Sequence, residues 1–319
     1  MDIAEILPSS RKGPVLVVGA ASVDLVGHIK GDLTPGSSTP SHIRSSFGGV
    51  ARNVAENLAR LGHPVTILTA VGADSAGEAL TEQLAEAGVD THSILHLPGR
   101  STGTYLAVVD NKGELRFALD DMRTAAAITP QYLESQTDLF KHAALLFLDA
   151  NLPKETIRKA AAMARRARLP VCADPTSVEL AERFLPYLSR LYLITPNHAE
   201  ASVLCGQTIE PARPRQAIDA AKCLVSQGVR ITIITLAQFG VCYASSETTG
   251  YIPALGTKII DPTGAGDALT AAVIYGLLNE IPLDDAVRLG VTAATLTLRH
   301  PGAVLPDLTL EKLYDQLVI

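Results

Sequence analysis

The chain has 319 residues, 47% hydrophobic and 19% charged, with a net charge of −6 and a pI near 5.8. Scattered lysines and arginines on an acidic background argue against a nucleic-acid partner, and no apolar run approaches the ~20 residues of a membrane span. The start, MDIAEILPSSRKG, lacks a secretion-signal pattern, and Cys172, Cys205, Cys223 and Cys242 form no CxxC or Cys/His cluster, so a cytoplasmic protein with idle thiols is expected.

Residues 1–12 read as a loose arm before one domain over 13–319. Short β-branched runs then alternate with helical periodicity, as in an α/β fold built on a mostly parallel sheet. Buried strands are expected at Val15–Val18, Val65–Leu68, Ala144–Leu148, Val171–Ala173, Leu191–Ile194 and Ile231–Thr235. Helices are expected at Val54–Leu61, Glu78–Ala87, Lys154–Arg168, Arg215–Gln227 and Leu283–Leu298, with Gly62, Gly88 and Gly228 as carboxyl-terminal caps. Two segments break the alternation. Thr104–Val109 and Glu114–Leu119 flank a turn at Asp110–Gly113, and Asp24–Lys30 and His42–Phe47 flank the Gly/Pro/Ser-rich stretch 31–41. Together they predict a small sheet outside the main core, a lid over a site or simple decoration, with strands at about 24–47 and 103–120.

Polar motifs fall at the expected strand ends, where open parallel sheets bind ligands. Gly19-Ala-Ala-Ser-Val-Asp24 lacks the glycines of a dinucleotide fingerprint, and Asp24 reads as a ligand for hydroxyl groups. In Gly48-Gly-Val-Ala-Arg-Asn53 the pair Gly48 and Gly49 permits close backbone approach. There Arg52 and Asn53 offer donors to a sugar or phosphate, or the segment is only a helix start. Asn197 and Glu200 could order magnesium-bound water around phosphates, or form an ordinary capping box. Thr235, in a segment ending at Gly240, could touch nucleotide phosphates or lie in a plain loop. The strongest motif is Asp261-Pro-Thr-Gly-Ala-Gly-Asp267, running into the apolar segment 268–278. Gly264, Ala265 and Gly266 would open a helix with unpaired amides that suit an anion, while Asp267 could take a proton from a hydroxyl. The bland alternative is a glycine-containing turn with an acidic first helical turn. No P-loop, protein-kinase loop, HExxH or GxSxG pattern occurs.

GGVARN near the start and DPTGAGD near the end, in that order, resemble the two signatures of the ribokinase-like (PfkB) carbohydrate kinases, and the resemblance covers nearly the whole chain. It implies an α/β three-layer sandwich with a central mostly parallel sheet and a small β-sheet lid. It also implies ATP and magnesium as cofactors, and a sugar or nucleoside hydroxymethyl group as acceptor. By similarity, Asp267 is the catalytic base and Gly264, Ala265 and Gly266 frame the anion hole. Asp24, Gly48, Gly49 and Asn53 bind the sugar. Asn197, Thr235, Gly240, Gly264 and Gly266 serve the nucleotide, with Asn197 and Glu200 ordering magnesium through water. A monovalent cation such as potassium near Asp261 and the Gly302-Ala303 loop, and a homodimer through the lid, remain open. Pro262 and the Thr235-Leu-Ala237 run depart from the family pattern, which touches nucleotide affinity rather than the chemistry. GAASVDLVG, GGVARNVAENLARLG, TYLAVVDNKGELRFALDDM, DANLP and DPTS resemble most closely the pseudouridine-phosphorylating members of the family. They imply Thr104, Asp121 and Asn151 around the base and the 5′-hydroxyl of pseudouridine as acceptor. Ribokinase, another nucleoside kinase and a nucleoside-binding protein without turnover are the alternatives.

Overall fold

The computed structural model describes residues 11–33, 36–110 and 115–317. Along the chain, β1 (Val15–Val18) leads to the long β2 (Ser22–Ile29) and β3 (Ser41–Gly48), then to α1 (Val50–Arg60). There follow β4 (Val65–Leu68), β5 (Ala70–Gly72), α2 (Ser75–Glu86), β6 (Val89–Asp90), β7 (Leu95–Leu97), β8 (Thr104–Val109) and β9 (Leu115–Asp121). Next come α3 (Pro130–Ser135), α4 (Thr137–His142), β10 (Leu145–Asp149), α5 (Lys154–Ala167), β11 (Val171–Asp174) and β12 (Leu193–Ile194). The carboxyl-terminal part holds α6 (His198–Cys205), α7 (Pro214–Ser226), β13 (Ile231–Thr235), β14 (Val241–Ser245) and β15 (Thr249–Ile252). It ends with α8 (Ala265–Leu278), α9 (Leu283–Leu298) and α10 (Leu310–Asp315).

Nine strands form the main sheet in the order β15-β14-β13-β12-β11-β10-β1-β4-β6, parallel from β13 to β6 and antiparallel at the β14–β15 edge. Its central strands are buried, the edge strands β15 and β6 partly exposed, and alternation along the central strands divides two cores. Val15, Val17, Ile67, Leu145 and Phe147 pack toward α1, α8 and α9, while Leu16, Val18, Leu68, Leu146 and Leu148 pack toward α5. This is the expected three-layer sandwich.

The small sheet stands apart, in the order β3-β2-β8-β9. The two expected hairpins are joined by a parallel β2–β8 ladder, which sequence alone did not pair. The turn expected at Asp110–Gly113 lies outside the described residues except for Asp110, and so do residues 1–10 of the expected arm. Arg11 is held against the body, donating to the carbonyls of Ala143 (3.0 Å), Ala167 (2.8 Å) and Lys141 (2.9 Å).

Several boundaries shift from expectation, and at two of them the cause is visible. The helix expected from Val54 begins at Val50, because Gly49 takes a φ of 92° and turns the chain directly into it. The strand expected over Leu191–Ile194 pairs only at Leu193–Ile194, where a 3₁₀ helix at Ala181–Arg190 containing Pro186 delivers the chain late. The β5–β7 ladder and the β14–β15 hairpin were not anticipated.

Candidate functional site

The carboxyl ends of β1, β10, β11, β12 and β13 and the amino termini of α1, α6 and α8 converge on one edge of the main sheet. Asp149, the last residue of β10, is fully buried and works as a knot. Its Oδ2 accepts from the Ala20 amide (2.8 Å) and the Ala51 amide (3.1 Å), and its Oδ1 from the Asn151 amide (2.9 Å). A Cβ on Gly19 would sit 2.3 Å from that carboxylate, so only glycine lets β1 and β10 close here. One strand over, Asp174 accepts from the Thr176 amide (2.7 Å) and the Thr195 hydroxyl (3.3 Å), and Thr270 of α8 donates to Thr195 (3.0 Å).

Gly264 precedes α8 in the left-handed region (φ 74°) and offers no side-chain cap. The amides of the first turn therefore stay available, and the positive end of the helix faces the site. Asp267 lies in that turn, half-buried, and its Oδ2 accepts a 2.7 Å hydrogen bond from Asn53 Nδ2 on α1. The structure thus joins the two sequence motifs, 214 residues apart, through one side-chain pair.

Asp24 reaches the same space from the small sheet. It is buried, and the Ser22 hydroxyl donates to it at 2.9 Å. Gly48 runs against it, since a Cβ there would fall 2.1 Å from Asp24 Oδ2, and a Cβ on Gly49 would strike the Ala20 carbonyl at 2.5 Å. Cross-strand partners share a face of a sheet, so register places Ser46, Asp24, Tyr105 and Asp120 in one row across the four strands. Tyr105, Asp120 and Ser46 were missed by sequence reasoning. Their common face with Asp24 follows only from the β2–β8 register, which joins the two hairpins.

The same register sets other residues on the opposite face. Thr104 and Asp121 share it with Val23 and Phe47. Thr104 donates to the Thr102 carbonyl (3.2 Å), and Asp121 accepts from Arg123 through Nε (2.7 Å) and Nη2 (2.6 Å). These two are therefore not gathered with Asp24, whereas Asn151, tied to Asp149, is at the sheet edge. Arg52 also departs from expectation. It is 2% exposed and its Nη1 and Nη2 are engaged by Phe47, Asn53 and Glu56, so it does not offer the donors to a ligand that were expected there.

A cavity of about 560 Å³ opens on the other side of α8, lined among others by Thr235, Gly240, Leu255, Ala265, Gly266 and Val291. That volume suits a small-molecule ligand. Asn197 neighbours Thr235 through a parallel bridge, and forms a complete capping box with Glu200. Its Oδ1 accepts from the amides of Ala199 and Glu200, and Glu200 accepts from both the amide (2.9 Å) and Nδ2 (2.7 Å) of Asn197. Asp261 accepts from the amides of Thr263 (3.0 Å) and Gly302 (3.1 Å), so the proposed cation pair is in direct contact. Among the described residues no group of three or more His, Cys, Asp or Glu side chains is arranged to hold a metal, and no helix is long and apolar enough to cross a membrane.

Five carboxylates share this edge, and burial dominates their ionisation. Asp24 and Asp149 are pushed up to about 6 by desolvation, each opposed by its hydrogen bonds. Desolvation lifts Asp267 to about 7 against the Asn53 hydrogen bond, with Asp149, Asp24 and Glu200 adding repulsion. Burial also raises Asp174 and Glu200. A folded-state value above the unfolded one stabilises the fold below the unfolded value, and that contribution disappears as pH rises through the folded value. Asp267 should therefore cost stability above pH 7 and little near pH 4. Melting curves of Asp267→Asn against wild type should show the variant higher by a few degrees at pH 8, on the order of 1 kcal/mol, with the gap closing toward pH 5. A pH-independent gap would contradict the raised value.

Residues 13–310 match the family described as pfkB family carbohydrate kinase. The chain is 30% identical over 304 residues to pseudouridine kinase of Escherichia coli (strain K12), covering 94% of this chain and 95% of that protein. It is 27% identical over 288 residues to ribokinase of Haemophilus influenzae, covering 90% and 92%. Arabidopsis thaliana ribokinase, solved with ribose and ATP, shares the fold with a TM-score of 0.82 at 21% identity, over 96% of this chain and 99% of that one. The ribokinase-like architecture, the paired glycine motifs and the match over nearly the full length agree, and the chain belongs to the pfkB family of carbohydrate kinases.

Proposed function

We propose that the protein transfers the γ-phosphoryl group of ATP to the 5′-hydroxyl of pseudouridine, giving pseudouridine 5′-phosphate. The observation that carries the reading is Asp267 at the uncapped start of α8, between the large cavity and the Asp24 end of the small sheet. Asp24 and Asn53 hold the ribose hydroxyls, and Asp267, with an affinity for protons near neutrality, accepts the 5′-hydroxyl proton. The amides from Gly264 to Asp267 stabilise charge on the phosphoryl group in transit, and the cavity lined by Thr235 and Gly240 takes the nucleotide. Magnesium bound with the nucleotide neutralises phosphate charge. Asn197 and Glu200 fit it only through water, since both oxygens of Glu200 already accept from Asn197. The small sheet acts as a lid that excludes water from the phosphoryl group. Its outer face, with Ile43, Phe117 and Leu119 exposed, supports pairing with a second copy.

The identity with pseudouridine kinase favours this acceptor over ribose. Pseudouridine carries a ring N–H where uridine has C–H, and a site built to accept from it leaves a buried acceptor unpaired with uridine, at about 1–3 kcal/mol. Asn151, and Asp120 in the Asp24 row, are the candidate acceptors; Asp121 is committed to Arg123. ATP consumption over a panel of pseudouridine, uridine, other nucleosides and ribose should give kcat/KM for pseudouridine at least about tenfold above uridine. Equal turnover of the two nucleosides, or preference for ribose, would overturn the acceptor while leaving the kinase; no turnover on any acceptor would favour a binding protein.

A further inference from the structure

Arg52 is the largest side chain in the buried set, and its contacts form a directed chain. Nη1 donates to the Phe47 carbonyl (3.0 Å) and to Asn53 Oδ1 (3.0 Å), while Nη2 pairs with Glu56. Glu56 in turn holds Arg60 through Nε (2.8 Å) and Nη2 (2.6 Å), and Arg60 continues to the Pro306 carbonyl. The backbone of Asn53 is fixed separately, its carbonyl accepting from Asn57 Nδ2 (2.9 Å). Buried ion pairs seldom stabilise a fold more than apolar residues of similar size, and here Arg52 Nε is left with no partner. What the arrangement does supply is orientation. A guanidinium has donors only, so the carboxamide of Asn53 must turn its oxygen toward Arg52 and its NH₂ toward Asp267.

We propose that Arg52 is a positioning residue for phosphoryl transfer: it sets the carboxamide of Asn53 so that its NH₂ faces Asp267, and anchors that setting to the end of β3 through the Phe47 carbonyl. The inference rests on Asp267 acting as the base. The carboxylate is faced by Asn53 from α1, Asp24 from β2, Asp149 from β10, Asp174 from β11 and Glu200 from α6. Asn53 is the neutral donor among them, so the direction of its amide decides whether Asp267 meets an N–H or a further oxygen.

Arg52→Lys keeps a positive charge beside Glu56, but a single ammonium lacks the planar fork that reaches Phe47, Asn53 and Glu56 together. It should lower kcat about tenfold with KM for ATP within about twofold of wild type, and in an Asn53→Ala background it should lower kcat no further than about twofold. Equal losses in both backgrounds would show that Arg52 does not act through Asn53 and would overturn the proposal. A second measurement needs no acceptor. In ¹⁵N-labelled ligand-free protein, the Asn53 side-chain NH₂ signals, assigned by their loss in Asn53→Ala, should exchange slowly in wild type and rapidly in Arg52→Lys. Unchanged signals in that variant would equally overturn it. If Arg52→Lys does not fold, Arg52→Met combined with Glu56→Leu removes both buried charges at once and takes the same two measurements. Absence of wild-type turnover on every acceptor would count against the kinase reading, and the NH₂ signals would still decide the role of Arg52.

Discussion

Asp267→Asn should lower turnover by about 10² to 10⁴-fold, the range typical for loss of a general base, while nucleoside binding survives. The substitution is close to isosteric and keeps an oxygen to accept from Asn53, whose 2.7 Å hydrogen bond fixes the side chain. The uncapped amides of α8 and the cavity beside them are untouched, so electrostatic stabilisation of the moving phosphoryl group remains and sets the residual rate. Steady-state kinetics with calorimetric titration of nucleoside separates the two effects. Turnover within a few-fold of wild type would remove Asp267 from the base role.

Gly264→Ala should cost both stability and activity. The residue has φ of 74°, and a Cβ would lie 2.0 Å from the carbonyl oxygen of Ala303, which is backbone and has nowhere simple to go. The left-handed conformation alone costs roughly 1–2 kcal/mol for alanine, and relief of the contact requires the 302–303 loop or the first turn of α8 to move. Displaced amides should reduce kcat by about 10² to 10³-fold, as for loss of an oxyanion donor. Gly266→Ala, two residues on, lies within α8 and meets no heavy atom within 4 Å, so it should leave the melting temperature of the free protein unchanged or slightly raised. Equal melting temperatures for Gly264→Ala and wild type would show that the turn has no such constraint.

The contrast between these glycines marks how far the sequence could be read. Gly264 and Gly266 look alike in DPTGAGD, and what separates them is the left-handed φ of Gly264 and the approach of Ala303 from a loop 39 positions later. The architecture was legible because its signals are local: continuous apolar strands, helices closed by glycine, and two extended pairs breaking the alternation. Leu283–Leu298 was expected and found with the same ends. Site residues within a motif were equally accessible, and Asp24, Asn53 and Asp267 meet at one edge. What escaped depends on pairing at a distance. Asp149 reads in sequence as the end of an apolar strand, and its three backbone partners come from three segments. Asp121 and Asp120 are neighbours of identical chemistry, and the choice between them is the pleat of β9 set against β8 and β2. Arg52 was misjudged for the opposite reason. A lone arginine beside glycines suggests an anion ligand, and the acid that claims it, Glu56, sits one helical turn on, where it reads as surface.

The small sheet carries a consequence for how such an enzyme can change. Its four strands hold Asp24, Ser46, Tyr105 and Asp120 in one row, while the nine-stranded sheet and α8 hold the cavity and the uncapped amides. Ser46, Tyr105 and Asp120 belong to neither core of the main body, so replacing them changes that face of the small sheet without repacking either core. With that row against the acceptor, as proposed above, acceptor preference can drift by exchange at a few strand positions while the nucleotide cavity is kept. A library confined to those three positions is the smallest one in which a new acceptor would be sought.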